Sequence, residues 1–261
     1  MSKLVDKLTK SRLAEPPPMG FHLAKAAPEN SRMQLVAAIT AGVLETSARE
    51  IVNVDAVILD ITKADDITAL EKASQIKNGP AAGGRFKTES SGTQKKTLNS
   101  GCDFVVLSPE APVSFTNDEK LGKLLEIETA LSDIMLRTVS DLPVDAVIAL
   151  EKEIPETLSV NRLMELQRLL YLFNKPLIVS IPLSFSIEEL QALCDMGVTG
   201  VLVKVTDSKT AEKLANLRQA IDKLKKPAPR KKDKMSATLP RLQTESSHVQ
   251  HEEEEEEEEE E

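Results

Sequence analysis

Val54-Asp55-Ala56-Val57-Ile58-Leu59-Asp60 decides the fold, because the chain repeats its pattern. It is echoed by Cys102-Asp103-Phe104-Val105-Val106-Leu107-Ser108 and by Val144-Asp145-Ala146-Val147-Ile148-Ala149-Leu150, and more loosely by Val198-Thr199-Gly200-Val201-Leu202-Val203-Lys204. Each run is apolar almost throughout, rich in β-branched residues, and opens on a small or polar residue. A sheet with one wet face alternates apolar and polar positions. A run without that alternation belongs to a parallel strand covered on both faces.

Working outward, strands are expected near residues 34–40, 56–61, 82–86, 104–108, 123–128, 145–150, 176–181 and 200–205. Helix signals lie between most of them. Ser186-Ile187-Glu188-Glu189 is a capping box, with Phe185 and Leu190 as its hydrophobic staple, and its helix should stop at Gly197. Leu163, Leu166, Leu169, Leu170 and Phe173 fall at helical spacing, as do Leu214, Leu217, Ile221 and Leu224. Thr68-Ala69-Leu70-Glu71 suggests a second capping box, with a stop at Asn78-Gly79. Residues 88–100 are polar, and residues 116–120 leave room for barely one turn.

Composition removes several classes of function. The net charge of −9 comes from ten consecutive glutamates at 252–261; without them 32 acidic residues face 33 basic ones. Basic residues cluster at 225–234, and the mildly acidic body before them has no footprint for nucleic acid. No apolar run approaches membrane-spanning length, and no signal peptide is expected at the N-terminus. Cys102 and Cys194 lack metal-ligand spacing and read as small buried hydrophobes, which fits a cytoplasmic setting. His22 is the single histidine before the tail, so neither a triad nor an imidazole metal site can be assembled, and no cofactor is expected. One tyrosine, six phenylalanines and no tryptophan disfavour a flavin site. The chain is expected to divide into an N-terminal extension (1–18) ending in Pro16-Pro17-Pro18, a globular body (19–224), and a disordered tail (225–261), basic and then poly-Glu.

Eight strand–helix units in about 200 residues resemble a (βα)₈ TIM barrel, the α/β fold of the aldolase-type and ribulose-phosphate-binding superfamily. The resemblance covers most of residues 34–224. It is carried by unit shape, as in Leu193-Cys194-Asp195-Met196-Gly197-Val198-Thr199-Gly200-Val201-Leu202-Val203, and not by a catalytic motif. An open doubly wound sheet would use the same pattern with fewer strands. Eight strands favour closure, because an open sheet leaves two edges unpaired.

The resemblance puts an active site where strands end and the following loops begin. The polar residues there are Asp60, Arg85, Ser108, Glu110, Glu126, Glu128, Glu151, Ser180 and Lys204. Strand alternation aims Glu126, Glu128 and Lys204 at the interior. One reading makes Lys204 a base or Schiff-base nucleophile, with Glu126 or Glu151 as its proton partner. The other makes Lys204 the structural counter-ion of a glutamate, or a residue of the wet rim. Gly83 and Gly84 would let a ligand approach backbone closely, or form a tight bend. The resemblance also implies a phosphate site after the seventh and eighth strands. Here those loops lack glycine: Ser180-Ile181-Pro182-Leu183-Ser184-Phe185-Ser186 and Thr206-Asp207-Ser208-Lys209-Thr210. Hydroxyls such as Ser208, with Lys209, would have to hold the anion, and Asp207 would repel it. Met19-Gly20-Phe21-His22 is expected to plug the bottom of the barrel, and Asp55, Asp103 and Asp145 are expected to act as caps or turn formers at strand entrances. The functional expectation is a lyase-, aldolase- or isomerase-like enzyme, or a binder, for a small anionic metabolite. The alternative is a non-catalytic scaffold acting through its charged tail.

Overall fold

The computed structural model describes residues 2–12, 33–46, 53–63, 65–76, 79–86, 101–112, 121–151 and 154–225. In chain order these form α1 (Lys3–Arg12), β1 (Gln34–Ile39), α2 (Ala41–Thr46), β2 (Ala56–Ile61), α3 (Asp65–Ser74), β3 (Ala81–Phe86), β4 (Phe104–Leu107) and β5 (Gly122–Glu128). There follow α4 (Asp133–Thr138), β6 (Ala146–Leu150), α5 (Val160–Leu172), β7 (Leu177–Ser180), α6 (Ile187–Met196), β8 (Gly200–Lys204) and α7 (Ser208–Asp222). The segments 88–100 and 116–120, the Met19–His22 motif and residues 226–261 lie outside the described residues.

All eight strands are parallel, each pairs with the next, and β8 returns to β1 with Gln34 opposite Gly200 and Ala38 opposite Lys204. The sheet is a closed barrel, and the open-sheet alternative falls. Side chains sort by the two-residue period of a strand. Val36, Ile58, Phe104, Val106, Leu124, Ile148, Ile178 and Leu202 fill the lumen. Their neighbours, such as Leu35, Val57, Val105, Val147 and Val201, pack outward beneath the helices.

Local signals set the helix ends. Ser186 and Glu189 form the expected capping box, and α6 stops at Gly197, whose φ of 99° suits a residue without a Cβ. Ser159 caps α5. Helix α3 begins at Asp65, ahead of the expected Thr68 cap. The Asp66 carboxylate folds back onto Thr62 N and Lys63 N, both at 2.8 Å, while the Thr68 hydroxyl donates to the Asp65 carbonyl. Two backbone donors offer a carboxylate more than one helical N–H would, so the turn forms earlier than the spacing suggested.

The bottom of the barrel is closed by α1. Leu4 and Leu8 are fully buried in the lumen cluster. Gly122, at the foot of β5, leaves space for the start of α1: a Cβ there would lie 2.7 Å from Ser2 and 2.8 Å from Val5. Asp103 caps this helix across the barrel floor, accepting from Ser2 Oγ (2.7 Å), Lys3 N (2.7 Å) and Leu4 N (3.0 Å). A carboxylate at a helix N-terminus meets both unpaired donors and the positive end of the dipole. Asp55 accepts from Leu35 N at 3.0 Å and from the guanidinium of Arg218 at 2.5 Å, and Asp145 accepts from Lys123 N at 2.8 Å. The three strand-entrance aspartates therefore tie the floor together.

Gly83 has a packing reason of its own. A Cβ there would stand 2.3 Å from the Phe104 ring, which occupies the lumen across β3. Gly83→Ala is expected to cost about 1–3 kcal/mol through overpacking. The double variant Gly83→Ala/Phe104→Leu should be less destabilised than the sum of the two single changes, as read from urea midpoints. Additive costs would mean that the ring and the glycine do not share the space.

Candidate functional site

The upper mouth of the barrel carries one charged cluster. Arg85 leaves β3 on the lumen side and lies between two carboxylates. Its Nε is 2.7 Å from Glu126 Oε1 on β5, and its Nη1 is 3.3 Å from Asp60 Oδ1 on β2. All three side chains are largely buried. The arginine fork meets carboxylates from two different strands at once. Its Nη2 is buried and has no hydrogen-bond partner among the described residues. A buried guanidinium donor without a protein acceptor is costly, and an oxygen supplied by a ligand or water would remove that cost.

Lys204 has the same strand parity as Leu202 and Gly200, so it stands above the lumen layer at the top of β8, but it is exposed. Among the described residues its ammonium has no ion pair or side-chain hydrogen bond. The sequence pairing of Lys204 with Glu126 is replaced by the pairing of Glu126 with Arg85. Glu128, one period above Glu126, is also exposed. Ser108 and Ser180 have lumen parity at the exits of β4 and β7 and are half-buried, while Glu110 is exposed. Gly84 points outward, where a Cβ would lie 2.7 Å from Ile61.

Glu151 does not join this cluster. It leaves β6 on the outer side and meets Arg162 of α5, with 2.6 Å between the charged groups; Arg162 also reaches Glu165 at 3.2 Å. A small cavity beside the pair is lined by Leu158, Leu166, Ser180 and Phe185. Arg162 is almost wholly buried and its Nη2 has no partner among the described residues. Burial pushes the Glu151 carboxyl above its usual range, and the Arg162 charge offsets part of that rise. Arg162 escaped the sequence reading although a signal existed: it lies in line with Leu166, Leu169 and Phe173, the spacing of the buried face of α5.

The two helix N-termini that could cradle a phosphate are already served by the chain itself. Asp207 caps α7, accepting from Thr210 N at 2.7 Å and from the Thr210 hydroxyl at 2.5 Å. Ser186 and Glu189 cap α6, and Glu189 also accepts from Leu158 N at 2.7 Å. These backbone hydrogen bonds, from Leu158 and then Ser186, hold the Glu189 carboxyl below its usual range. The side chain of Ser208 lies outside the described residues. Among the described residues no cluster of three or more histidine, cysteine, aspartate or glutamate side chains could hold a metal ion, and no helix is long and apolar enough to cross a membrane.

With the fold and the mouth defined, likeness to known proteins is structural. Two mutant tryptophan synthase α-subunits from the hyperthermophile Pyrococcus furiosus superpose with a TM-score of 0.55 at 15% sequence identity, covering 73% of this chain and 97% of theirs. Another structure of the α-subunit from that organism gives 0.53 at 15% identity. The shared fold is the closed, parallel (βα)₈ barrel. At this identity the likeness is one of fold alone. No protein-family model matches the sequence, and no curated protein matches it.

The Glu151–Arg162 pair gives a pH-dependent signature. A carboxyl whose folded pKa is raised binds protons more readily in the folded state. Its favourable contribution is therefore full at low pH and is lost as pH rises from the ordinary glutamate range through the raised value. Glu151→Gln, whose amide oxygen can still accept from Arg162, should flatten that segment when denaturation midpoints are followed against pH. An unchanged pH profile would show that Glu151 titrates as a free carboxyl.

Proposed function

We propose that the protein binds a small anionic metabolite at the upper mouth of the barrel, and that any reaction there is of the lyase, aldolase or isomerase kind. The observation that carries this reading is the buried Nη2 of Arg85, a cationic donor with no acceptor among the described residues. An anionic oxygen is the partner that a guanidinium edge fits best. Asp60 and Glu126 hold the guanidinium in place, and the Lys204 amine above the same lumen supplies a second cation. A proton could pass between an amine and a carboxylate there, as removal of a proton next to a carbonyl requires. Position supports the same reading, because barrels of this fold carry their chemistry at the carboxyl ends of the strands.

The alternative is a non-catalytic barrel that acts as an interaction scaffold. It draws support from the same cluster: two carboxylates already neutralise Arg85, which is how a purely structural charge would be arranged. Native mass spectrometry of the purified full chain separates the two readings by looking for a co-purifying small molecule. Lys204 is exposed, so Lys204→Met should leave the fold intact. It should lower occupancy of the bound molecule about tenfold or more, the value of one charge-assisted contact. A carbonyl ligand that forms a Schiff base would also be trapped on the wild-type chain, and not on the variant, by borohydride. No bound molecule in either protein, and no trapped adduct, would favour the scaffold.

A further inference from the structure

The cavity beside the Glu151–Arg162 pair lies between the ends of β6 and β7 and the helices α5 and α6. Its apolar wall, which includes Leu166, Val179, Phe185 and Leu193, belongs to the layer beneath the helices. Its volume is about 10 Å³. That is the room one water molecule needs, and it is too little for an organic ligand. Three polar side chains line it: Glu151, Arg162 and Ser180. Arg162 is 5% exposed, its Nη1 is taken up by Glu151 and Glu165, and its Nη2 has no partner among the described residues. The half-buried Ser180 hydroxyl makes no hydrogen bond to a described residue either. A buried water keeps about three hydrogen bonds to groups left unsatisfied by the chain, and three such groups meet here. An anion fits less well, because Glu151 and Glu165 already balance the Arg162 charge.

We propose that this cavity holds one water molecule, which joins the Glu151–Arg162 pair to Ser180 and turns the Ser180 hydroxyl toward the mouth of the barrel. Donor and acceptor rules fix the direction of each bond. A guanidinium can only donate, so the water accepts from Arg162 Nη2. Its two hydrogens then go to acceptors, the second oxygen of the Glu151 carboxylate and Ser180 Oγ. Having accepted, Ser180 Oγ keeps its own hydrogen for another acceptor. Ser180 ends β7 with the lumen parity of Ile178, which places that acceptor on the mouth side. Ser180 pairs with Leu202 on β8, and the next lumen position of β8 is Lys204. Ser180 thus becomes a neutral donor to the anionic ligand, on the strand next to that of the Lys204 amine. This last step rests on the reading of the mouth proposed above; the water itself does not.

Full chain labelled with ¹⁵N-arginine tests both parts. In rotating-frame Overhauser spectra, a bound water and exchange with bulk water give cross-peaks of opposite sign. The expected result is a dipolar cross-peak between the Arg162 side-chain N–H and water, with the Arg162 signal identified by its loss in Arg162→Lys. Ser180→Val fills the cavity with a methyl group and should abolish that cross-peak. It should also lower the melting temperature, because the Arg162 donor is then buried without an acceptor. A dry cavity would gain contacts from the same change, and the melting temperature would hold or rise. Absence of the cross-peak in wild type, its survival in Ser180→Val, or a melting temperature that does not fall overturns the inference. Acetate, followed at the Arg85 signal, probes the mouth. Ser180→Ala should raise its midpoint about tenfold, and Ser180→Thr should restore it. An unchanged midpoint in Ser180→Ala overturns the role given to Ser180. Acetate that never shifts the wild-type Arg85 signal contradicts the reading of the mouth, and the role of Ser180 with it, but leaves the water standing.

Discussion

A ring of eight parallel strands encloses a space that water cannot solvate, and the whole molecule depends on how that space is filled. Its middle takes apolar side chains of alternating strand positions, with Phe104 reaching across to the glycine of β3. Its floor takes the apolar stripe of α1, docked where Gly122 has no side chain and capped by Asp103. Its ceiling takes Arg85 and the two carboxylates that grip it. Each solution is forced by the one below. Apolar packing ends where the strands end, and polar groups enter at the two ends of the barrel.

The ceiling is also where the energetics are most delicate. Taking a charge out of water costs several kcal/mol per ion even after relaxation, and only good geometry with full hydrogen bonding offsets it. Arg85 has two carboxylate neighbours but keeps a buried donor without an acceptor. Outside the barrel wall, Arg162 repeats the arrangement with Glu151 and Glu165. Two buried guanidinium groups, each incompletely satisfied, stand near the carboxyl ends of the strands, whereas the aspartates of the floor spend their oxygens on backbone donors and on the side chains of Ser2, Lys7 and Arg218. The floor is built for stability. The mouth retains unused hydrogen-bonding capacity at Arg85, and that difference is the physical basis of the proposal that a ligand binds there.

The barrel was legible because buried parallel strands leave an unusual trace: Val57-Ile58-Leu59 and Val147-Ile148-Ala149 show no alternation, since both faces of the sheet are covered. Strand parity likewise brought Glu126 and Lys204 to the lumen side. Parity does not give height or reach, however. Arg85 is long enough to claim Glu126 from another strand, and Lys204 stands exposed at the end of β8. Glu151 lies one residue past the parity that would have turned it inward. The role of α1 could not be read locally, because Leu4 and Leu8 are an ordinary amphipathic stripe until the Asp103 cap, about 100 residues away, shows where it docks. Arg162 was hidden for the opposite reason: a charged residue within a leucine stripe is easily taken for a solvated position.

The central claim is that the free edge of Arg85 is a receptor for an anionic oxygen. The most direct measurement follows the side-chain N–H resonances of ¹⁵N-arginine-labelled full chain during titration with acetate and with inorganic phosphate. The Arg85 signal is identified by its loss in Arg85→Lys, which keeps the charge between the two carboxylates. Saturable shifts of the Arg85 signal, with those of the surface arginines following only the salt concentration, are the predicted result. An Arg85 signal that moves no more than that of an exposed arginine, with either anion up to saturation, would contradict the account.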